Sequence, residues 1–142
     1  MASYRPINPK RVLVVDDDQF FLSLMAQALK QDGYDVEVAM DGDEGARVFA
    51  ASRFDAVICD IVMPGQEGLE TMWQMRIARP DLAIIAVSGG VQIDEFEPMD
   101  SLEIAARFGA DLTLKKPFEL PDLTAAVERA LLIERTAKAA RG

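Results

Sequence analysis

The chain has 142 residues, half of them hydrophobic and 27% charged, a composition that suits one globular domain with its own core. Acidic residues outnumber basic ones 24 to 15, and the formal charge of −9 repels a polyphosphate backbone, which argues against direct DNA or RNA binding. One Cys and no His exclude an intramolecular disulfide and the usual zinc ligand set, so any metal site here is built from oxygen.

No apolar stretch approaches the roughly 20 residues of a membrane helix, and the start MASYRPINPK lacks the apolar stretch of a signal peptide. The expectation is a cytoplasmic protein without membrane insertion. In chain order, the run Arg11-Val-Leu-Val-Val15 is short, continuous and β-branched, as a strand buried on both faces of a parallel sheet should be. Phe21, Leu22, Leu24, Met25, Ala28 and Leu29 then recur at helical spacing and stop at Asp32-Gly33, where Gly supplies a C-terminal cap. A second strand over 36–39 leads to a helix over 43–51, and a third over 56–59 to a helix over 68–79 that stops at Pro80. The fourth pair is a strand over 83–87 and a helix over 101–108 ending at Gly109. A weaker run over 112–114 and a helix over 121–135 complete five repeats, and the residues after Ile133 read as a fraying helix end.

Strands alternating with helices predict a parallel sheet covered on both faces, a doubly wound three-layer α/β domain. Ligands of such sheets bind outside the carboxyl ends of the strands, where strand order reverses. The residues leaving the strands are therefore the candidates: Asp16-Asp17-Asp18 after the first, Asp60 after the third, Ser88 after the fourth and Lys115-Lys116-Pro117 after the fifth. Ala39-Met40 after the second is chemically silent. Carboxylates gathered together repel unless a cation or proton compensates, and hard Mg²⁺ prefers a few carboxylates, waters and a phosphate oxygen. A carboxylate can also attack a phosphoryl group to give an aspartyl phosphate, with a metal and an ammonium neutralising the transferring oxygens. Lys116 and Ser88 suit that chemistry.

VLVVDDD, ICDIVMPGQEG, AVSGG and LKKPF, in this order at successive strand ends, resemble the receiver domain of two-component response regulators over residues 11–135, with 1–10 as an N-terminal extension and 136–142 as a tail. The resemblance implies a flavodoxin-like receiver fold with five parallel strands and five helices. It implies Asp60 as phosphoacceptor, Asp16 and Asp17 as the acidic metal pair, and the backbone carbonyl of Val62 as a further Mg²⁺ ligand. Ser88 matches the hydroxyl that bonds the phosphoryl oxygen, followed by the small Gly89, and Lys116 matches the lysine before a cis proline. The resemblance also implies that the domain would catalyse only its own phosphorylation and dephosphorylation and, with no His in the chain, that the donor would be a sensor histidine kinase, a histidine phosphotransfer protein or a small acyl phosphate. The signal would pass to a downstream protein target through the face of the fourth helix, fifth strand and fifth helix.

Three features depart from the family pattern. The switch position that works with Ser88 is usually Tyr or Phe and is Thr113 here, so an aromatic ring cannot couple site to surface through that side chain. Residues 89–98 lengthen the path from Ser88 to Lys116, read as a tolerated surface insertion against a gating or partner-binding loop. No output domain follows in this chain, so the expectation is a stand-alone regulator acting by protein contact.

Blander readings apply to the neighbours. Asp18 is a helix N-cap, Cys59 a small buried hydrophobe, and Lys115 the outward lysine of the pair. Met72, Trp73, Met75 and Ile77 read as core, and Met63 as a shaper of the turn under the site. Two rivals stand beside the receiver. Asp16-Asp17-Asp18 also satisfies the Asp-x-Asp motif of haloacid-dehalogenase-type phosphatases, though that family needs a later acidic pair that Glu119, Asp122, Glu128 and Glu134 do not make. A pseudo-receiver, with the fold but no phosphorylation, is the second, favoured by Thr113 and opposed by the complete Asp–Asp–Ser–Lys set.

Overall fold

The computed structural model describes residues 9–61, 67–88 and 101–133. Strands and helices alternate as β1 (Arg11–Val15), α1 (Gln19–Gln31), β2 (Asp35–Ala39), α2 (Gly42–Ala51), β3 (Ala56–Asp60), α3 (Glu67–Ala78), β4 (Ala83–Ser88), α4 (Ser101–Arg107), β5 (Leu112–Lys115) and α5 (Leu120–Leu131). The strands form one parallel sheet in the order β2-β1-β3-β4-β5. The doubly wound architecture expected from the alternating pattern is therefore the one observed.

Successive side chains of a strand point to opposite faces, so the inner strands feed two cores. Val12, Val14, Ile58, Ile85 and Val87 meet Leu22, Met25 and Leu29 of α1 and Leu123 and Val127 of α5 on one face. Leu13, Val15, Val57, Cys59, Ile84 and Ala86 meet Phe54, Met72 and Met75 on the other. Burial on both sides is why β1, β3 and β4 read as unbroken apolar runs. β5 lies at the sheet edge and is only half-buried, which accounts for its weak signal in the sequence.

Helix ends follow cap chemistry. Asp18 caps α1 by accepting from the Phe21 backbone N–H at 3.2 Å, as expected, and Gly33 takes φ +96° just past the C-terminus. α2 starts one residue earlier than the spacing predicts, because Asp41 accepts from the Glu44 N–H at 2.7 Å and acts as N-cap. α5 stops at Leu131 rather than 135. The Leu132 and Ile133 N–H groups bond back to the Arg129 and Ala130 carbonyls, which tightens the last turn and closes the helix.

Two residues expected in the core are outside it. Met72 and Met75 are buried, but Trp73 is 42% and Ile77 61% exposed, because α3 turns its Leu69, Thr71, Met72 and Met75 stripe to the sheet. Trp73 instead packs nearly edge-to-face on Phe108, with ring centroids 6.0 Å apart.

Candidate functional site

The order of the strands reverses between β1 and β3, whose carboxyl ends lie side by side in parallel register, Val15 opposite Cys59. Asp16 follows β1 and Asp60 ends β3, so both carboxyl groups arrive at the one crevice that this topology leaves open. Asp16 is fully buried, Asp60 is 3% exposed and Asp17 is on the surface. Carboxylate oxygens of the three lie within 4.8 Å of one another.

Two further strands complete the rim. Ser88 ends β4, 2% exposed, one residue past the Val87 that faces Asp60 across the ladder. Lys116 follows β5 and is tied to that end by its N–H, which donates to the Ser88 carbonyl at 2.9 Å. Its ammonium reaches Asp16 Oδ2 at 3.1 Å and Asp60 Oδ2 at 3.4 Å. The Lys116–Pro117 peptide is cis, as the resemblance implies. Lys115 points to solvent, the expected consequence of alternation.

Electrostatics set the character of the crevice. Burial pushes the Lys116 pKa down, but the Asp60 and Asp16 carboxylates together outweigh it and hold the value above that of an ordinary lysine. The ammonium is thus a fixed positive charge. Cys59, just before Asp60, has its thiol pushed up to about 12 by burial and by the Asp60 and Asp16 charges. It is the inert core residue its apolar setting suggests. Gly68 lets α3 approach the end of β3, since a Cβ there would stand 2.3 Å from the Asp60 carbonyl oxygen and 2.8 Å from Ile61 Cα.

Asp16, Asp17, Asp60, Ser88 and Lys116 are thus brought together at one edge of the sheet. Val62, Met63 and the 89–98 loop lie outside the described residues. Thr113 stands in β5 opposite Ala86, away from the carboxylates. It helps line a groove of about 310 Å³ between β5 and α5, with Leu112, Leu114, Asp122 and Arg129. A residue not singled out in the sequence also belongs to the site: the Phe21 ring lies 4.7 Å from Lys116 Nζ. Its helical spacing marks it only as a residue of the inward face of α1, where it does pack partly buried against the core.

A family model described as the response regulator receiver domain matches residues 12–128. The chain belongs to that family. Among curated proteins, the response regulator MprA of Mycolicibacterium vanbaalenii is 39% identical over 129 residues, covering 90% of this chain and 52% of its own length. MprA of Mycobacterium ulcerans is 38% identical over 123 residues, 86% of this chain and 50% of its own. The chain therefore spans about half the length of the curated relatives it matches. A CheY-like receiver domain protein from Methanospirillum hungatei superposes with a TM-score of 0.78 at 28% identity, covering 95% of this chain and all of that one. The receiver domain of NtrX from Brucella abortus gives 0.76 at 28% identity over 87% and 99%. Membership removes the dehalogenase-type phosphatase as a reading of Asp16-Asp17-Asp18. A receiver domain is a signalling domain of two-component systems, and accepting a phosphoryl group is its family's general function. Among the described residues, no helix of this receiver domain is long and apolar enough to cross a membrane.

Proposed function

We propose that Asp60 is the phosphoacceptor of a cytoplasmic receiver domain extending over 11–135, and that Asp16, Asp17 and Asp60 hold Mg²⁺ there. The observation that carries this reading is the buried Asp60 carboxylate, paired with Lys116 and within 4.8 Å of two more carboxylates at the point of strand reversal. Three carboxylates against one ammonium leave two negative charges, which an oxygen-seeking divalent cation balances. The Val62 carbonyl would add a further ligand. When bound, the cation neutralises charge on the transferring phosphoryl oxygens.

One Asp60 oxygen attacks phosphorus in line. The bond to the donor's leaving group breaks as the acyl–phosphate bond forms, and the leaving group departs with its electron pair. The donor is a phosphohistidine of a sensor kinase or phosphotransfer protein, or a small acyl phosphate, because this chain contains no His. Lys116 and Ser88 hold the product oxygens, and hydrolysis of the aspartyl phosphate returns the resting carboxylate. Phosphorylation then shifts an existing equilibrium on the α4, β5 and α5 face and changes affinity for a protein target.

Intact-protein mass spectrometry after incubation with Mg²⁺ and acetyl phosphate tests this. The native chain should gain one phosphoryl group and the Asp60→Asn variant none. Uptake by both would move the acceptor to another residue, and uptake by neither would leave a pseudo-receiver.

A further inference from the structure

A lysine ammonium is a compact charge on a flexible four-carbon stem, and it needs fixed partners to stay in one place. Among the described residues, three groups hold that of Lys116: Asp16 at 3.1 Å, Asp60 at 3.4 Å and the Phe21 ring with its centroid 4.7 Å away. The two carboxylates are also the groups that a divalent cation and a phosphoryl group would engage. Once they are engaged, their hold on Lys116 falls, whereas the attraction of the ring face is unchanged by either event.

The ring is itself anchored from both sides. On its own element, the Phe21 N–H donates to Asp18 Oδ1 at 3.2 Å, and the Asp18 N–H donates to Asp16 Oδ1 at 2.8 Å. This short chain of bonds ties the first turn of α1 to the strand end that carries the carboxylate. On the other side Phe118, two residues beyond Lys116, packs nearly edge-to-face on Phe21 at 5.4 Å and an interplanar angle of 63°. Both rings rest against the core shared by α1 and α5. An aliphatic side chain at position 21 would cover the lysine stem equally well, yet offer its ammonium nothing.

We propose that Phe21 is a positioning residue for phosphoryl transfer, its ring keeping the Lys116 ammonium aimed at Asp60 when the carboxylates are engaged elsewhere, with Phe118 fixing the ring. The proposal rests on the reading of Asp60 as acceptor. Its role is exerted through Lys116 alone, so its effect must vanish when Lys116 is absent.

The test is the initial rate of phosphoryl uptake from acetyl phosphate at fixed Mg²⁺, in a cycle of native, Phe21→Leu, Lys116→Ala and the double variant. Phe21→Leu should slow uptake about fivefold in the native background and not at all in the Lys116→Ala background. Phe21→Met, of similar volume, should behave like Phe21→Leu, and Phe21→Tyr should restore most of the rate. Equal slowing in both backgrounds, or unimpaired uptake by the Leu and Met variants, overturns the positioning role while leaving Asp60 as acceptor. No uptake by the native chain overturns the acceptor reading, and the positioning role with it. By NMR the ring-current shift of the Lys116 ε-methylene protons should persist after phosphorylation, and its disappearance would show that the ring lets the lysine go.

Discussion

Lys116 faces two carboxylates whose side chains are 1% and 4% exposed, so it also neutralises buried negative charge. Removing one partner of a largely buried ion pair leaves the other charge uncompensated, and Asp16 and Asp60 would then repel each other as well. Lys116→Ala should therefore lower stability by about 1–3 kcal/mol in chelator, the partial exposure of the lysine keeping the loss below that of a fully buried pair. Saturating Mg²⁺ should shrink the deficit, because the cation supplies the missing charge. Urea unfolding with and without Mg²⁺ checks this, and an equal loss in both conditions would mean that lysine and metal do not share the same carboxylates. Cys59 gives a second residue-scale expectation. With its thiol at about 12, roughly one molecule in 10⁴ carries the thiolate at pH 8, since each pH unit below the pKa costs a factor of ten. Iodoacetamide should leave the folded chain unlabelled and modify it stoichiometrically in denaturant. Labelling of the folded chain would show that the end of β3 opens.

At the scale of elements, the guanidinium of Arg76 links α3, the turn leading into β4 and the turn between α4 and β5. It donates to the Gly109 carbonyl at 3.0 and 2.8 Å, to the Pro80 and Leu82 carbonyls at 2.8 Å, and pairs with Asp111 at 2.9 Å. The Asp111 side chain is fully buried and also accepts from the Ile84 N–H at 2.8 Å, at the start of the strand that ends in Ser88. Gly109 permits this close approach, with φ +101° and Arg76 Cγ 2.8 Å from where a Cβ would stand. Arg76→Ala should cost about 3–4 kcal/mol, measured by chemical denaturation, and Arg76→Lys should recover little of it because an ammonium cannot serve the fork of acceptors. Little of this linkage was legible beforehand. Its acceptors are mostly backbone carbonyls from two separate segments, and a carbonyl carries no sequence signal. The misplacement of Trp73 and Ile77 has a related cause, since periodicity identifies an apolar stripe without saying how much of it a neighbouring helix covers.

For the whole molecule, a cation bound only by the folded state must stabilise it. At a Mg²⁺ concentration about 100-fold above its Kd, the gain should be about 2.7 kcal/mol, seen as a rise in Tm that chelator reverses. Asp17→Asn should blunt the rise, because Asp17 is the exposed member of the three carboxylates and can be changed without leaving a buried group unpaired. A full rise in that variant would remove Asp17 from the metal set. The fold itself was legible almost throughout, because strands buried on both faces must be continuously apolar and helices covering them must be amphipathic. The placement of the candidate site was legible for a related reason: Asp16, Asp60 and Ser88 each follow an apolar run directly and Lys116 stands two residues beyond Leu114, and a charged or hydroxyl side chain at such a place has no packing purpose.

The sequence by itself determined the alternation of strand and helix, the acidic oxygen-donor character of the site and the strand ends on which its residues stand. These depend on local pattern and on the rule that a doubly wound sheet gathers ligands at the carboxyl ends of its strands. Only the tertiary structure decided which groups meet across the sheet: the grip of Asp16 and Asp60 on Lys116, the Phe21 ring behind the ammonium, and the groove that Thr113 helps to line. Each is a contact between segments distant in the chain, set by strand order and helix packing. Distances of a few ångströms between such segments have no counterpart in residue spacing.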